Sequence, residues 1–379
     1  MQRSWRYFCA MKNYKIFVIN PGSTSTKLAL FENDRKILET NVFHDASVLL
    51  QFPTVNSQLP YRKQVIMDFL NENHIDLSDV DAIVGRGGSC YPVPSGVYAI
   101  DDKLIADTAA GKGGMEHPSN LGVQLARELQ KEFGGQIFMV DPPCVDELCD
   151  MARMTGIADV PRHTNMHALN LRGVAMHHAK HVLGKKYEDC NFIVCHIDGG
   201  ISVSAHCKGR IIDCNDAAGG DGPYTPTRIG SVSVADVLEY VRDKNIDEVK
   251  KLCTRTGGFV SHFGTSSSDA VHKMVEEGNK KAIRVWGGMK YQIVKYIGAM
   301  ATVLGGKVDG ILLTGGLLRF EDITQTIREH CEWIAPVSTY PGEVEHEALA
   351  AGALRVLRGE EEAKHYTGRP VWDGWHDED

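Results

Sequence analysis

Apolar positions at residues 16–19 (IFVI) run continuously into a small polar turn, and residues 27–31 leave that turn with apolar and polar positions in rough alternation. A short continuous run reads as a buried strand and alternation as a half-buried one. Residues 15–32 therefore predict a hairpin, with 36–43 as a third strand. The same order returns at 192–195, through a second glycine turn, to 202–207, with a third strand ending near 213. Helical spacing of apolar residues predicts helices over 62–73, 101–111 and 121–133, the last capped by Ser119 or Asn120. Short strands are expected at 82–84 and 136–140. In the second half, helices are expected at 167–182, 233–243, 247–254, 267–277 and 279–304, then a strand at 309–314. A helix near 321–330, a strand near 333–339 and an amphipathic helix over 345–358 follow. Three strands and then alternating helix and strand, stated twice, predict an α/β fold of two related lobes, each a mixed sheet carrying helices. The expected division is a first lobe over 11–160, completed by 345–379, and a second over 161–344, with 1–10 as an extension.

The two hairpin turns are built alike. The first reads Asn20-Pro-Gly-Ser23-Thr-Ser25-Thr-Lys27 and the second Asp198-Gly199-Gly200-Ile-Ser202-Val-Ser204. Glycine lets the backbone approach a ligand closely, and hydroxyls add donors beside exposed amides. Such turns suit phosphate, although ordinary hairpins also collect small polar residues. A third glycine turn, Gly315-Gly316, follows the apolar run ILLT. Two turns half a chain apart point to two lobes gripping one nucleotide. The Walker P-loop does not fit, because it needs a lysine directly after glycine and then a helix, whereas Lys27 opens a strand.

Composition narrows the classes. A chain of 379 residues with 43% apolar content suits two ordinary domains. It contains no run of about 18 uncharged apolar residues of the kind that spans a bilayer. Forty-nine acidic against 41 basic residues leave a net charge of −8, which argues against nucleic acid as a partner. Ten cysteines without a CxxC pair read as reduced thiols of a cytoplasmic protein rather than a zinc or disulfide framework. The first ten residues lack a signal peptide's apolar centre, and Met11 offers a second natural start.

Candidate chemistry lies at the element ends. Asp141 and Asp198 each end an apolar strand, where α/β proteins bind ligands, and magnesium takes one or two carboxylates beside phosphate oxygens. Capping of the next turn is the plainer reading of both. Arg86 stands among glycines in VGRGGS, Arg162 opens RHTNMH, and Arg228 ends GPYTPTR. Three guanidinium groups would suit a carboxylate and a transferring phosphoryl group. His167, at the expected helix start, would donate to a phosphoryl oxygen. His163 and His167 make an i, i+4 pair without the glutamate of HExxH, and His177, His178 and His181 are expected on a solvated face. A hydroxyl acceptor needs a base, which Asp141 would supply, whereas a carboxylate is already ionised at pH 7. The basic groups fit the second case better.

The motifs INPGSTSTK, VGRGG, HPSN, VDPP, RHTNMHALN, HIDGGISVSAH, GPYTPTR, LTGG and PGEVEHEALAAGALRVLRGE resemble, in order from about residue 14 to 360, those of the butyrate kinases. These belong to the acetate kinase family, in the sugar kinase, Hsp70 and actin superfamily. The resemblance implies a duplicated βββαβαβα, actin-like ATPase fold of two lobes with ATP and Mg2+ in a central cleft. The reaction it implies is reversible, direct in-line transfer from ATP to a short-chain carboxylate, giving ADP and an acyl phosphate such as butyryl phosphate. It implies that Asn20, Ser23, Ser25 and Lys27 form the first phosphate turn, with Asn20 near the metal. Arg86 and Arg228 would hold the carboxylate and the phosphoryl group, and His167 would stabilise the transition state. Asp141 would lie by the acceptor or metal, and Glu347 would help hold magnesium. Gly199, Gly200, Gly315 and Gly316 would line the nucleotide, with Ser202 beside them. Asp198 would reach the metal. Family habit implies a cytoplasmic homodimer or larger homo-oligomer.

Two positions depart from acetate kinase: Met166 replaces the aromatic residue before the histidine, and Gly199 replaces an asparagine. A flexible methionine, with Ala217, Ala218 and Gly219, is expected to admit a longer acid. One methylene gives only about 1–3 kcal/mol of discrimination. Kinases for acetate, propionate or isobutyrate, and a nonenzymatic ATP-binding clamp, are the alternatives.

Overall fold

The computed structural model describes residues 12–114 and 117–375. The chain divides into two compact units. The first takes the chain up to Ser89, then Gly96–Val140 and His346–Thr367; the second takes Cys90–Ser95, Asp141–Glu345 and the chain from Gly368.

In the first unit the strands are β1 (Lys15–Pro21), β2 (Ser25–Glu32), β3 (Arg35–Phe43), β4 (Ala82–Arg86), β5 (Val97–Ala99) and β6 (Gln136–Val140), in the sheet order β3-β2-β1-β4-β6-β5. The first three are antiparallel, while β1, β4 and β6 run parallel. β1 is buried beyond its first residue, as a strand covered on both faces must be, and β3, at the edge, carries mostly exposed or half-buried residues. The helix Leu121–Phe133 packs on β4 with almost no space. A Cβ on Gly85 would lie 2.2 Å from the Gly122 carbonyl oxygen, and one on Gly122 would lie 2.1 Å from that of Arg86. These glycines serve helix-on-strand contact, which sets where Arg86 leaves the sheet.

The second unit holds β7 (Asn191–Ile197), β8 (Ile201–Cys207), β9 (Arg210–Cys214), β10 (Gly310–Gly315) and β11 (Val337–Pro341), ordered β11-β10-β7-β8-β9. Again three antiparallel strands come first; β10 then runs parallel beside β7, and β11 parallel beside β10. Alternation along β7 serves two cores. Ile193, Cys195 and Ile197 meet Trp286, Met289, Ile293 and Ile297 of the helix Lys280–Val303. Phe192 and Val194 face Leu171, Val174 and Ala175 of the helix Ala168–His181.

Several elements differ from expectation. β5 and the helix Gly258–Phe263 are too short to carry a period. Asn120 stands at the N-cap position of its helix but its side chain makes no capping bond: a 3-10 turn, Pro118–Asn120, precedes the helix with His117 as cap, and Asn120 Oδ1 accepts from the Ser89 amide. His178 is buried and bonds the Tyr340 hydroxyl at 2.6 Å rather than facing solvent. Residues 141–160 lie in the second unit. There the Cys149 amide donates to Ile212, the Glu147 carboxylate accepts from the Ser95 and Ile211 amides, and Arg153 pairs with buried Asp146. The tail from Gly368 joins the same unit, with Trp372 under the Arg153 guanidinium. The expected extension, 1–10, lies outside the described residues.

Candidate active site

In the first unit the chain turns between β1 and β2 with Asn20 opposite Lys27 and Pro21 opposite Thr26. The Gly22 amide closes the turn on the Ser25 carbonyl at 2.8 Å. Ser23 and Thr24 stand exposed at its tip, Lys27 is half-buried, and Asn20 and Ser25 are buried at its base. Arg86 ends β4, half-buried.

The second unit gathers more. Thr225 and Thr227 donate their hydroxyls to the Gly199 carbonyl at 2.6 and 3.2 Å, which ties the loop carrying Arg228 to the second glycine turn. Gly200 is then enclosed: a Cβ there would lie 2.6 Å from Arg228 Nη1 and 2.9 Å from His167 Cε1. Only glycine lets the guanidinium and the imidazole meet at this point. Arg228 donates to the Ala217 carbonyl at 2.5 Å, and its Nε is buried without a hydrogen-bond partner. Burial lowers its pKa from the ordinary arginine value, with Asp216 opposing the shift. His167 is held by Ser202 Oγ, 2.8 Å from its Nδ1, and by stacking on His196 with 3.9 Å between ring centres.

His196 and Asn170 are functional neighbours that the sequence reading missed. The Asn170 Oδ1 accepts from the Val344 backbone amide, which fixes its NH2 as donor to His196 Nδ1 at 2.7 Å. His196 thus keeps its proton on Nε2. Its ring, Asp198 and Glu343 bring potential ligand atoms within 4.8 Å of one another, yet an imidazole whose Nδ1 accepts and whose Nε2 is protonated has no lone pair for a metal. The oxygens of Asp198 and Glu343 are left as the donors, a set that suits magnesium. Asp198 also joins two turns, accepting from Gly199 N–H and Gly316 N–H at 2.8 Å each. Gly315, at φ 108°, lies so close to Ile197 that a Cβ would come within 2.3 Å of its carbonyl oxygen.

Three sequence candidates have other partners. Arg162 donates to the Ala152 and Cys214 carbonyls and pairs with Asp213 and Asp221; it locks the end of β9. Asp141, at φ 38°, is bonded through both carboxylate oxygens to Arg172 Nη1 at 3.2 and 3.0 Å, with both residues buried. Both of its carboxylate oxygens are thus engaged by one guanidinium nitrogen. Glu347 pairs with Lys36 at 2.7 Å, half-exposed in the first unit. Met166 is buried in the core beside Val145 and Leu171, and Gly219 packs against Asp216, its Cβ position 2.2 Å from a carboxylate oxygen. Neither opens free space.

Residues 162–336 match the model of the Acetokinase family. Butyrate kinase 1 of Clostridium acetobutylicum is 43% identical over 355 residues, 93% of this chain and 99% of that one. A probable butyrate kinase of Clostridium botulinum is 42% identical over 356 residues, 93% and 100% of the two chains. The chain belongs to the acetokinase family. The fold agrees. Acetate kinase of Porphyromonas gingivalis superposes with a TM-score of 0.74 at 18% identity, covering 91% of this chain and 100% of that one. A propionate kinase of Francisella tularensis gives 0.71 at 16%, covering 89% and 98%. The two mixed sheets are thus those of the actin-like ATPase architecture.

Proposed function

We propose that this chain is a butyrate kinase, moving the γ-phosphoryl group of ATP onto the carboxylate of butyrate to give butyryl phosphate and ADP, reversibly and without a phosphoenzyme. The observation that carries the reading is the enclosure of Gly200 by Arg228 and His167, in a chain 42–43% identical to curated butyrate kinases over 93% of its length.

The substrate oxygen is already anionic at pH 7, so the reaction needs charge stabilisation more than a base. Arg228 and Arg86 hold the carboxylate and the transferring group. His167, oriented by Ser202 and by the His196 ring, donates to a phosphoryl oxygen. Ser23, Ser25 and Lys27 receive the outer phosphate, and Gly199, Gly200, Gly315 and Gly316 line the nucleotide. In the second unit, Asp198 and Glu343 are the oxygen donors proposed for magnesium, which when bound would neutralise phosphate charge; in the first, Asn20 is proposed to serve the base of the phosphate turn. Asp141 orders the Arg172 side chain. The protein is proposed to work in the cytoplasm as a homodimer or larger homo-oligomer; among the described residues no helix is long and apolar enough to cross a membrane.

Trapping acyl phosphate as hydroxamate across C2 to C5 acids tests the reaction. Butyrate is expected to give the highest kcat/KM, with propionate and valerate within about two orders of magnitude. A maximum at acetate would reassign the substrate, and no hydroxamate with any acid would refute the enzyme.

A further inference from the structure

Arg62, in the helix Leu59–Glu72, has no exposed surface. Its Nε donates to Gln58 Oε1 one helical turn earlier, at 3.0 Å. Its Nη1 donates to the Ser25 carbonyl and to Thr26 Oγ1, both at 3.1 Å, and its Nη2 is buried with no hydrogen-bond partner among the described residues. Every partner is neutral, and among the described residues no carboxylate pairs with it. Burial pushes its pKa down to about 10, so the group stays charged at pH 7. Thr26 Oγ1 also lies 2.8 Å from His44 Nε2. Because arginine can only donate, the hydroxyl's own proton is left for His44, which burial and Arg62 push down to about 4. The neighbour is therefore neutral as well.

A buried cation without a counter-charge carries a heavy desolvation penalty, and a helix-to-sheet contact would be filled more favourably by methionine or leucine. The position of the charge explains its presence. The Ser25 carbonyl that accepts from Arg62 is the same oxygen on which the Gly22 amide closes the β1–β2 turn. Arg62 therefore braces that turn from beneath and puts positive charge behind it.

We infer that Arg62 is a positioning residue for phosphoryl binding, holding the Ser25 carbonyl and Thr26 hydroxyl while its charge is balanced by an anion seated on the Gly22–Lys27 turn. This rests on the reading above that the turn receives the nucleotide's outer phosphate.

The test compares wild type, Arg62→Met and Arg62→Lys by thermal unfolding with and without ADP or ATP, and by hydroxamate kinetics. Wild type should gain stability with nucleotide as binding demands. Arg62→Met should unfold near the wild-type temperature without ligand, lose most of the nucleotide-induced shift, and drop at least tenfold in kcat. Arg62→Lys should recover more than half of that shift. If Arg62→Met is destabilised without ligand yet keeps the full shift and kcat, the residue is structural and the inference is overturned. Should Arg62→Met not fold, Arg62→Lys with a lost shift would overturn it and a retained shift would support it. Wild type making no hydroxamate would refute the kinase reading instead, and the nucleotide-induced shifts would still decide the role of Arg62.

Discussion

The β1–β2 turn of the first unit and the β7–β8 turn of the second share a plan: a buried strand, a glycine turn, an antiparallel return and then a parallel neighbour of the first strand. Their electrostatics are opposite. The first has Lys27 on it and the Arg62 guanidinium buried under it, with no carboxylate paired to Arg62 among the described residues. The second carries its own carboxylate, and Asp198 occupies two amides of the glycine turns, those of Gly199 and Gly316. A duplicated backbone thus fixes where an anion would sit, while single side chains fix whether the turn is ready for one. On the proposed reading, the first turn would attract phosphate directly, and the second would accept it only when a cation or a movement relieves Asp198.

The largest expected effect lies beside the second turn, in the contrast between Arg228 and Arg162. Arg228→Ala should lower kcat by about 10³ or more and leave the urea midpoint near wild type, because among the described residues Arg228 makes no ion pair and its Nε has no partner. Arg162→Ala should do the reverse, lowering the midpoint by removing bonds to Asp213, Asp221 and two carbonyls. Near-normal turnover in Arg228→Ala, or an unchanged midpoint in Arg162→Ala, would erase the distinction between them.

Those two arginines also mark what could be read from the chain. Hairpins, strand direction and the helix start at His167 follow from local period and turn chemistry, so they were legible. Arg228 stood out in the chain by its TPTR setting and the nearby glycines, which are short local signals, and the structure packs it against Gly200. Arg162 and Asp141 looked equally available because their partners, Asp213, Asp221 and Arg172, come from elsewhere in the chain. The partner of Glu347 was hidden in the same way, its Lys36 lying over 300 residues away. Arg62 was hidden differently. On an amphipathic helix an arginine reads as solvated, and nothing local announces that it points under a turn. The His196 tautomer depends on the backbone amide of Val344, which no side-chain pattern encodes.

Acid should separate the two units next. His44 behind the first turn is pushed down to about 4, and His206 on β8, bonded to Tyr187 and Ser204, to about 3. Both are displaced chiefly by burial, and both start from an ordinary value of 6.5. Below that value the unfolded chain takes up protons that the folded one refuses. Their stabilisation is therefore full above pH 6.5 and is lost as pH falls, through about 4 for His44 and about 3 for His206. Each contributes a slope of at most about 1.4 kcal/mol per pH unit. The urea midpoint should fall measurably between pH 7 and pH 5, and His44→Gln should flatten part of that fall without touching the His206 share. An equal midpoint at both pH values would mean that neither ring is held neutral.

The smallest and most pointed test reverses the sign of the second turn. Asparagine at position 198 has one carbonyl oxygen and no charge, so Asp198→Asn keeps one of the two amide bonds and removes the repulsion toward phosphate. Metal-free ADP should then bind about tenfold more tightly, the size expected of one unit charge a few ångströms away in a partly buried setting. The gain on adding magnesium should shrink by a similar factor, because the metal would no longer offset that carboxylate. Arg62→Met should move metal-free ADP the other way. Titration calorimetry with and without magnesium reads both. If the two substitutions shift metal-free ADP in the same direction, the turns do not differ in sign, and the need for a metal must come from the transferring phosphate alone.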